Sequence, residues 1–382
     1  MKKTNLMTLA IALPTTLLAL TLTACGGGSE DAPPPAATPP ASTTPIAPLA
    51  GTEEELGRKL FFDANLSVPA GQSCANCHDP DTGFADPAVS QNAPVSEGAV
   101  AGEFGNRNAP TAAYAAFIPA RTLETPNGVT PFYQGGLFLD GRRDTLAEQA
   151  GDPFLNPAEM ANPDKAAVVN AVKASDYAGI MVYLNDENVF DNVDAAYAKI
   201  TEAIAAFEKT SEVNPFTSKY DYYLASQYIM TAEEANGLTL FQGNALCSTC
   251  HTLDPLSVNS DNLFTDFRYW NIGTPTNPNN PARAIDLGLG AVINNDAAQD
   301  GRFRTPTLRN VELTAPYMHN GVFATLEDVV NFYVTRDNGR WTPEVSDNME
   351  TTNIGIDIDF LENQDEADLV AFLKTLTDGY TP

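Results

Sequence analysis

The chain has 382 residues, of which 43% are hydrophobic and 18% charged, and this balance is typical of a folded globular protein. This length predicts two or three domains. The formal net charge of −28 argues against nucleic acid and anionic lipid as partners, because both bind clustered Lys and Arg. It favours neutral or cationic protein partners.

Residues 1–24 have the pattern of an export signal. Two lysines precede an apolar run from Leu6 to Leu22, which is interrupted by Pro14. The run leads to Cys25 in a sequence that resembles the bacterial lipobox, where the cysteine becomes lipidated. We therefore expect a periplasmic or cell-surface lipoprotein that touches the membrane only through this lipid. Gly26, in place of Asp, favours the outer membrane; a simple secretory signal is the alternative.

Residues 25–50 are predicted to be a flexible linker, because Gly, Pro, Ala, Ser and Thr dominate and cannot form a core. Ordered sequence follows, with a capping-box pattern that begins at Thr52 and recurs at Thr231. A Gly, a Leu and a Phe follow each copy at identical spacing. The chain therefore contains two related lobes.

Each lobe also contains a C-x-x-C-H motif. Two thiols at this spacing can bond both vinyl groups of one porphyrin, and the adjacent His reaches the iron. A Cys₄ zinc site or a disulfide would leave the repeated His unexplained. With one cysteine lipidated, the motifs account for all five cysteines and predict two covalent c-type haems. The predicted haem residues are Cys74, Cys77, His78, Cys247, Cys250 and His251.

We predict a mainly α fold, because few stretches alternate with period two. The signal peptide and Pro-rich tether would precede two cytochrome c-like haem lobes with long loops. The first domain is expected to span residues 51–225 and the second residues 226–382. Each would hold one haem.

Several longer segments resemble the bacterial di-haem cytochrome c peroxidase superfamily. They are Arg304–Asn310, Leu313–Gly321, Gly136–Arg142, Leu146–Gln149 and Asn156–Met160. The resemblance extends over essentially all of residues 52–380. It implies an oxidoreductase that uses H₂O₂ at the N-terminal, peroxidatic haem.

Within this superfamily the chain is similar to the MauG-like branch. No His lies between His78 and His251, so the resemblance implies that the first iron has no distal ligand. Where conventional members place an axial Met, this chain has Tyr333, whose hard oxygen would stabilise oxidised iron. Met349 and Met318 are alternative ligands. Tyr333 also falls on an apolar helix face, so packing alone is a further alternative.

The resemblance places Gln149, Pro153 and Glu159 in the distal pocket of the first haem. Glu159 would carry a proton between the peroxide oxygens as the O–O bond breaks, and Gln149 would orient peroxide. A surface Glu beside a helix start is the alternative for Glu159. Family members often carry Trp between the haems, whereas this chain has Leu139. An aromatic relay at that point is therefore absent.

Other positions match the surroundings of the second haem. Arg304 and Arg309 are expected to bind haem propionates. His319 is expected to support this haem without ligating its iron. The resemblance also implies an inter-domain Ca²⁺ site, held by oxygen atoms of Asn108, Thr314 and Pro316.

Three functions follow from these observations. The first is a MauG-like enzyme that uses H₂O₂ to oxidise a partner protein, with a Trp or Tyr as the electron source. The second is a conventional peroxidase that draws electrons from a small cytochrome or cupredoxin. The third is a non-enzymatic electron carrier, which would have two six-coordinate irons.

Overall fold

The computed structural model describes residues 46–382, except 129, 254–261, 283, 295 and 351–360. The predicted signal peptide, Cys25 and nearly all of the linker lie outside the described residues. The described residues form one compact unit. No helix in the described part is long and apolar enough to cross a membrane.

Helices dominate the described residues, which confirms the predicted mainly α fold. Two short antiparallel pairs are the named strands: β1 (Thr122–Glu124) with β2 (Phe132–Gln134), and β3 (Tyr269–Trp270) with β4 (Phe303–Arg304). The α-helices are α1 (Glu53–Phe61), α2 (Cys74–Cys77), α3 (Leu146–Leu155), α4 (Lys165–Lys173), α5 (Ala178–Leu184), α6 (Val193–Glu208), α7 (Lys219–Leu224), α8 (Ala232–Gln242), α9 (Leu289–Val292), α10 (Leu326–Thr335) and α11 (Asn363–Lys374).

The same helix crossing occurs twice. In the N-terminal lobe α1 crosses α6, and in the C-terminal lobe α8 crosses α11. A Cβ at Gly57 would lie 1.9 Å from the carbonyl oxygen of Ala203, and one at Gly237 would lie 1.9 Å from that of Asp368. Only glycine permits such close backbone contact. The repeated glycines therefore mark equivalent crossings.

The apolar residues that follow these glycines form the two cores. Phe61 packs on Phe207 with ring centroids 5.2 Å apart, and Phe241 packs on Phe372 at 5.1 Å. All four rings are fully buried, so each contributes a large apolar area to stability. The predicted capping boxes at Thr52 and Thr231 start α1 and α8. Cys74 packs against the N-terminal core and Cys247 against the C-terminal core, so each haem motif adjoins the core of its lobe.

Candidate functional site

The N-terminal motif begins with α2 and ends at His78. The Nδ1 atom of His78 lies 3.1 Å from the carbonyl oxygen of Phe84, and this contact leaves Nε2 for iron. Burial lowers the pKa of His78, which keeps the ring neutral. Burial also raises the pKa of Cys74 to about 12 and that of Cys77 to about 11.

The C-terminal motif repeats this arrangement. The Nδ1 atom of His251 lies 2.8 Å from the carbonyl oxygen of Phe264, and burial lowers the pKa of His251. Burial raises the pKa of Cys247 and of Cys250 to about 12. The four motif cysteines form no disulfide. Both motifs thus present two thiols and one oriented imidazole.

A large, mainly apolar cavity adjoins the C-terminal motif, and its lining fits a haem. Apolar side chains of α8, α10 and α11 face the cavity, while Cys247, Cys250 and His251 form part of its wall. Arg304 also lines it and is buried. The guanidinium of Arg304 reaches only two carbonyl oxygens, at 3.3 and 3.4 Å, and forms no ion pair with the described residues. A haem propionate would supply the missing negative charge.

Tyr333 lies on α10 and lines the same cavity. Its hydroxyl makes no hydrogen bond with the part of the chain that the structure describes, and burial raises its pKa. Met318 also lines the cavity. Met349 does not; its side chain packs on Gly273, where a Cβ would lie 2.6 Å from the Met349 methyl carbon. This arrangement favours Tyr333 over Met349.

Arg309 differs from the expectation that it binds a propionate. Its side chain is 1% exposed and does not line the cavity. Both terminal nitrogens donate to Asp221, at 2.9 and 2.8 Å, and Nε donates to the carbonyl oxygen of Asn262. This bidentate pair gives Arg309 a structural role, because it ties α7 to the segment after β4.

The three residues predicted to hold Ca²⁺ and the His predicted to support the second haem come together. Asn108, Thr314, Pro316 and His319 all line the cavity. The backbone N–H of Asn108 donates to the carbonyl oxygen of His319, at 2.8 Å. His319 is itself held in place, since its Nε2 lies 3.1 Å from Glu344 Oε2 and its ring stacks on Phe303. This fixed ring agrees with a supporting role for His319.

Glu159 lies beside the N-terminal motif, where it contributes to the raised pKa values of Cys74 and Cys77. Its Oε2 atom is buried and has no hydrogen-bond partner among the described residues. Burial raises the pKa of Glu159, partly offset by the charge of Arg142. A carboxyl group in this state binds a proton more readily than an exposed one, as a proton-transferring group must. Gln149 and Pro153 lie nearby in sequence on α3.

A second buried carboxyl group, Glu208, was not anticipated from the sequence. It ends α6, is 5% exposed, and its Oε2 has no partner in the described part. Burial raises its pKa to about 8, and its charge contributes to the raised pKa of Cys74. A comparison of the two repeated helices in the sequence could have identified Glu208. Ala-Phe-Glu-Lys-Thr ends α6, whereas Ala-Phe-Leu-Lys-Thr ends α11 with Leu373 at the matching position.

Comparisons with known proteins agree on one family. Residues 52–228 match the family model described as di-haem cytochrome c peroxidase. The methylamine utilization protein MauG of Paracoccus denitrificans is 38% identical, over 87% of this chain and 93% of that protein. The cytochrome c551 peroxidase of Nitrosomonas europaea is 33% identical, over 87% and 84%. The crystal structure of the di-haem peroxidase BthA from Burkholderia thailandensis matches with a TM-score of 0.76 and 35% identity, over 87% of each chain.

Proposed function

Since this chain belongs to the di-haem cytochrome c peroxidase family and is a di-haem peroxidase, we propose that it acts in the MauG-like manner. The first haem would be bound by His78 alone and would receive H₂O₂. The second would be bound by His251 and Tyr333, and electrons would come from a partner protein. The observation that carries this proposal is Tyr333, which lines the second cavity and whose hydroxyl makes no hydrogen bond among the described residues.

When bound, the haems supply the iron that exchanges electrons with peroxide. Reduction of one H₂O₂ to two waters consumes two electrons and two protons. Glu159 moves a proton from the near oxygen to the far oxygen, which becomes a better leaving group. The raised pKa of Glu159 supports this role, because burial makes its protonated form more accessible than that of an exposed carboxyl group. Gln149 orients peroxide by hydrogen bonding.

Tyr333 gives the second site its character. A phenolate oxygen is a hard ligand that favours oxidised iron, whereas a thioether favours reduced iron. Arg304 would hold a propionate of this haem, and His319 fixes the cavity wall next to Phe303. In this proposal the N-terminal haem reacts with peroxide, and the C-terminal haem retains oxidising capacity.

The partner and the location of the enzyme are inferred from its charge and its N-terminal sequence. The net charge of −28 favours a neutral or cationic partner, whose Trp or Tyr is oxidised. We expect export to the periplasm or cell surface and a lipid on Cys25. One Ca²⁺ is expected at Asn108, Thr314 and Pro316, which share the cavity wall.

A conventional peroxidase is the second candidate. It is favoured by the 33% identity to a cytochrome c551 peroxidase and by Met318, which also lines the second cavity. In that case Met318 would ligate the second iron, and a small cytochrome or cupredoxin would supply electrons.

Electron paramagnetic resonance of the oxidised holoprotein tests the proposal. The wild type should show one high-spin and one low-spin ferric haem. Tyr333→Phe should alter or abolish the low-spin signal, because it removes the ligand oxygen while keeping the ring. Met349→Leu is the matched control and should leave the spectrum unchanged. A low-spin signal that survives Tyr333→Phe and disappears in Met318→Leu would establish the second candidate instead.

A further inference from the structure

The cavity of the second haem is lined by four Tyr and Trp side chains, whose rings can be oxidised by one electron. They are Tyr114, Trp270, Tyr317 and Tyr333. An electron-relay residue also has to give up and regain the proton on its N–H or O–H group. The hydrogen-bond partner of that group therefore separates the four.

Three of these side chains are poorly suited to this task. Tyr333 is the proposed ligand. The Tyr317 hydroxyl donates to the carbonyl oxygen of Val311, which is a very weak base. The Tyr114 hydroxyl donates to the carboxylate of Asp378, but Tyr114 is only 2% exposed and so offers no route to a partner.

Trp270 has both a carboxylate that can accept its proton and a partly exposed ring. It is half-buried on β3, where it pairs with Phe303 of β4, and its ring borders the cavity. Its indole Nε1–H donates to Asp266 Oδ2 at 3.2 Å. The other oxygen of Asp266 accepts the backbone N–H of Arg268 at 2.9 Å, so the carboxylate is held towards the indole. The Asp266 backbone N–H also donates to the carbonyl oxygen of Cys250, which ties this pair to the haem motif.

We propose that Trp270 is the relay that carries electrons from the partner protein to the second haem, with Asp266 as its proton acceptor. This inference rests on the proposed function. The oxidant is H₂O₂, acting through the haems. Trp270 gives one electron to the oxidised His251 haem, and its indole N–H proton moves to Asp266. One electron from the partner then reduces the indole, and the proton returns from Asp266. Two such electron transfers supply the two electrons that reduction of one H₂O₂ consumes. The two protons that this reduction needs come from solvent.

Trp341 provides a matched control, because it is the other tryptophan of the chain. It is also half-buried, but it does not line the cavity. Its Nε1–H donates to the Thr335 hydroxyl at 2.9 Å, and its ring packs against Phe323 and Phe332. It has neither the proximity nor the carboxylate that the relay requires.

The test uses the full-length di-haem protein, mixed with one equivalent of H₂O₂ without an electron donor and freeze-quenched. The wild type should give an organic radical in electron paramagnetic resonance, narrowed when the protein contains ring-deuterated tryptophan. Trp270→Phe should reduce this signal at least tenfold, and Trp341→Phe should leave it unchanged. Asp266→Asn should slow radical formation and remove its solvent deuterium isotope effect.

The outcomes separate this inference from the proposed function. If the wild-type haem spectrum does not respond to H₂O₂, the proposed function is wrong and the relay is wrong with it. If the wild type responds but Trp270→Phe retains the full tryptophan radical, or if Trp341→Phe loses it, only the relay is overturned. A haem absorption spectrum of each resting variant checks that both haems are attached.

Discussion

The two lobes use the same helix crossing but surround their cysteines with different chemistry. In the N-terminal lobe, Glu159 and Glu208 lie close to the motif, and each has a buried carboxyl oxygen with no hydrogen-bond partner among the described residues. The C-terminal lobe has Tyr333 on its cavity wall, and Leu373 lines that cavity where Glu208 stands in the repeat. A shared scaffold therefore presents both haem motifs in the same way, and a few side chains make the two surroundings different; in the proposed function, one lobe transfers protons and the other stores oxidising capacity.

Leu373 occupies the position in the C-terminal lobe that corresponds to Glu208 in the N-terminal lobe. Leu373 lines the cavity of the second haem, and its counterpart Glu208 in the repeat lies close enough to Cys74 for its charge to help raise the pKa of that thiol. An unpartnered buried carboxyl group costs stability, which a leucine at the same position avoids. At this one position, the N-terminal lobe thus carries a destabilising carboxyl group where the C-terminal lobe has an apolar side chain.

The largest effect should come from Glu159→Gln. Removing the proton carrier should slow peroxide cleavage by about 10²- to 10⁴-fold, while both haems remain attached. Stopped-flow absorbance after mixing with H₂O₂ measures this rate. Glu148→Gln is the control, because exposed Glu148 only accepts backbone hydrogen bonds at the start of α3, which Gln also accepts. Equal rates in Glu159→Gln and the wild type would exclude the proton-carrier role.

Glu208→Gln should change how stability depends on pH. The folded-state pKa of Glu208 is raised from 4.5 to about 8, so the folded protein holds a proton that the unfolded chain releases. Stability should therefore fall as the pH rises through this window, by at most about 1.4 kcal/mol per pH unit from this group. The Gln variant should lack this contribution. Denaturant unfolding of the holoprotein at pH 5, 6 and 7 measures the slope.

Exposed Glu212 provides the control for that experiment, as Glu212→Gln removes a carboxyl group that pairs with Arg58 at the surface. We expect its slope to match that of the wild type. A Glu208→Gln variant whose slope also matches the wild type would show that Glu208 is not protonated in the folded enzyme.

A smaller effect should follow from Gly57→Ala and Gly237→Ala. Each added methyl group meets a backbone carbonyl oxygen at 1.9 Å, so the crossing helices must separate. We expect each variant to lose about 1–3 kcal/mol of unfolding free energy, as in overpacked cores. Gly105→Ala is the control, because its Cβ would meet no atom closer than 3.7 Å. Unequal losses would show that the two crossings are not equivalent.

Several features of this molecule are local in the sequence and could be predicted from it. The haem-attachment residues lie within five positions of one another, and the helix starts depend on residues three apart. The Gly-Leu-Phe repeat predicted two lobes because it encodes the same crossing twice. Glu208 was also within reach, since the ends of α6 and α11 differ at one central residue.

Other features depend on residues that are distant in the chain. Arg309 has a guanidinium group of the kind that binds propionates, yet its partner is Asp221, 88 positions away. Neither the acceptor of the Trp270 N–H nor the place of Trp270 on a cavity wall could be deduced from spacing. The sequence likewise left both Tyr333 and Met349 as candidate ligands; only the tertiary structure shows that Tyr333 lines the cavity and Met349 does not.

By itself, the sequence determined the covalent chemistry of the two haems and the repeated scaffold that holds them, because both depend on short-range spacing. Only the tertiary structure decided which charges are paired, which carboxyl groups are buried without a partner, and which aromatic rings border the second cavity. Those properties arise when distant segments exclude water together, and residue order alone does not specify them.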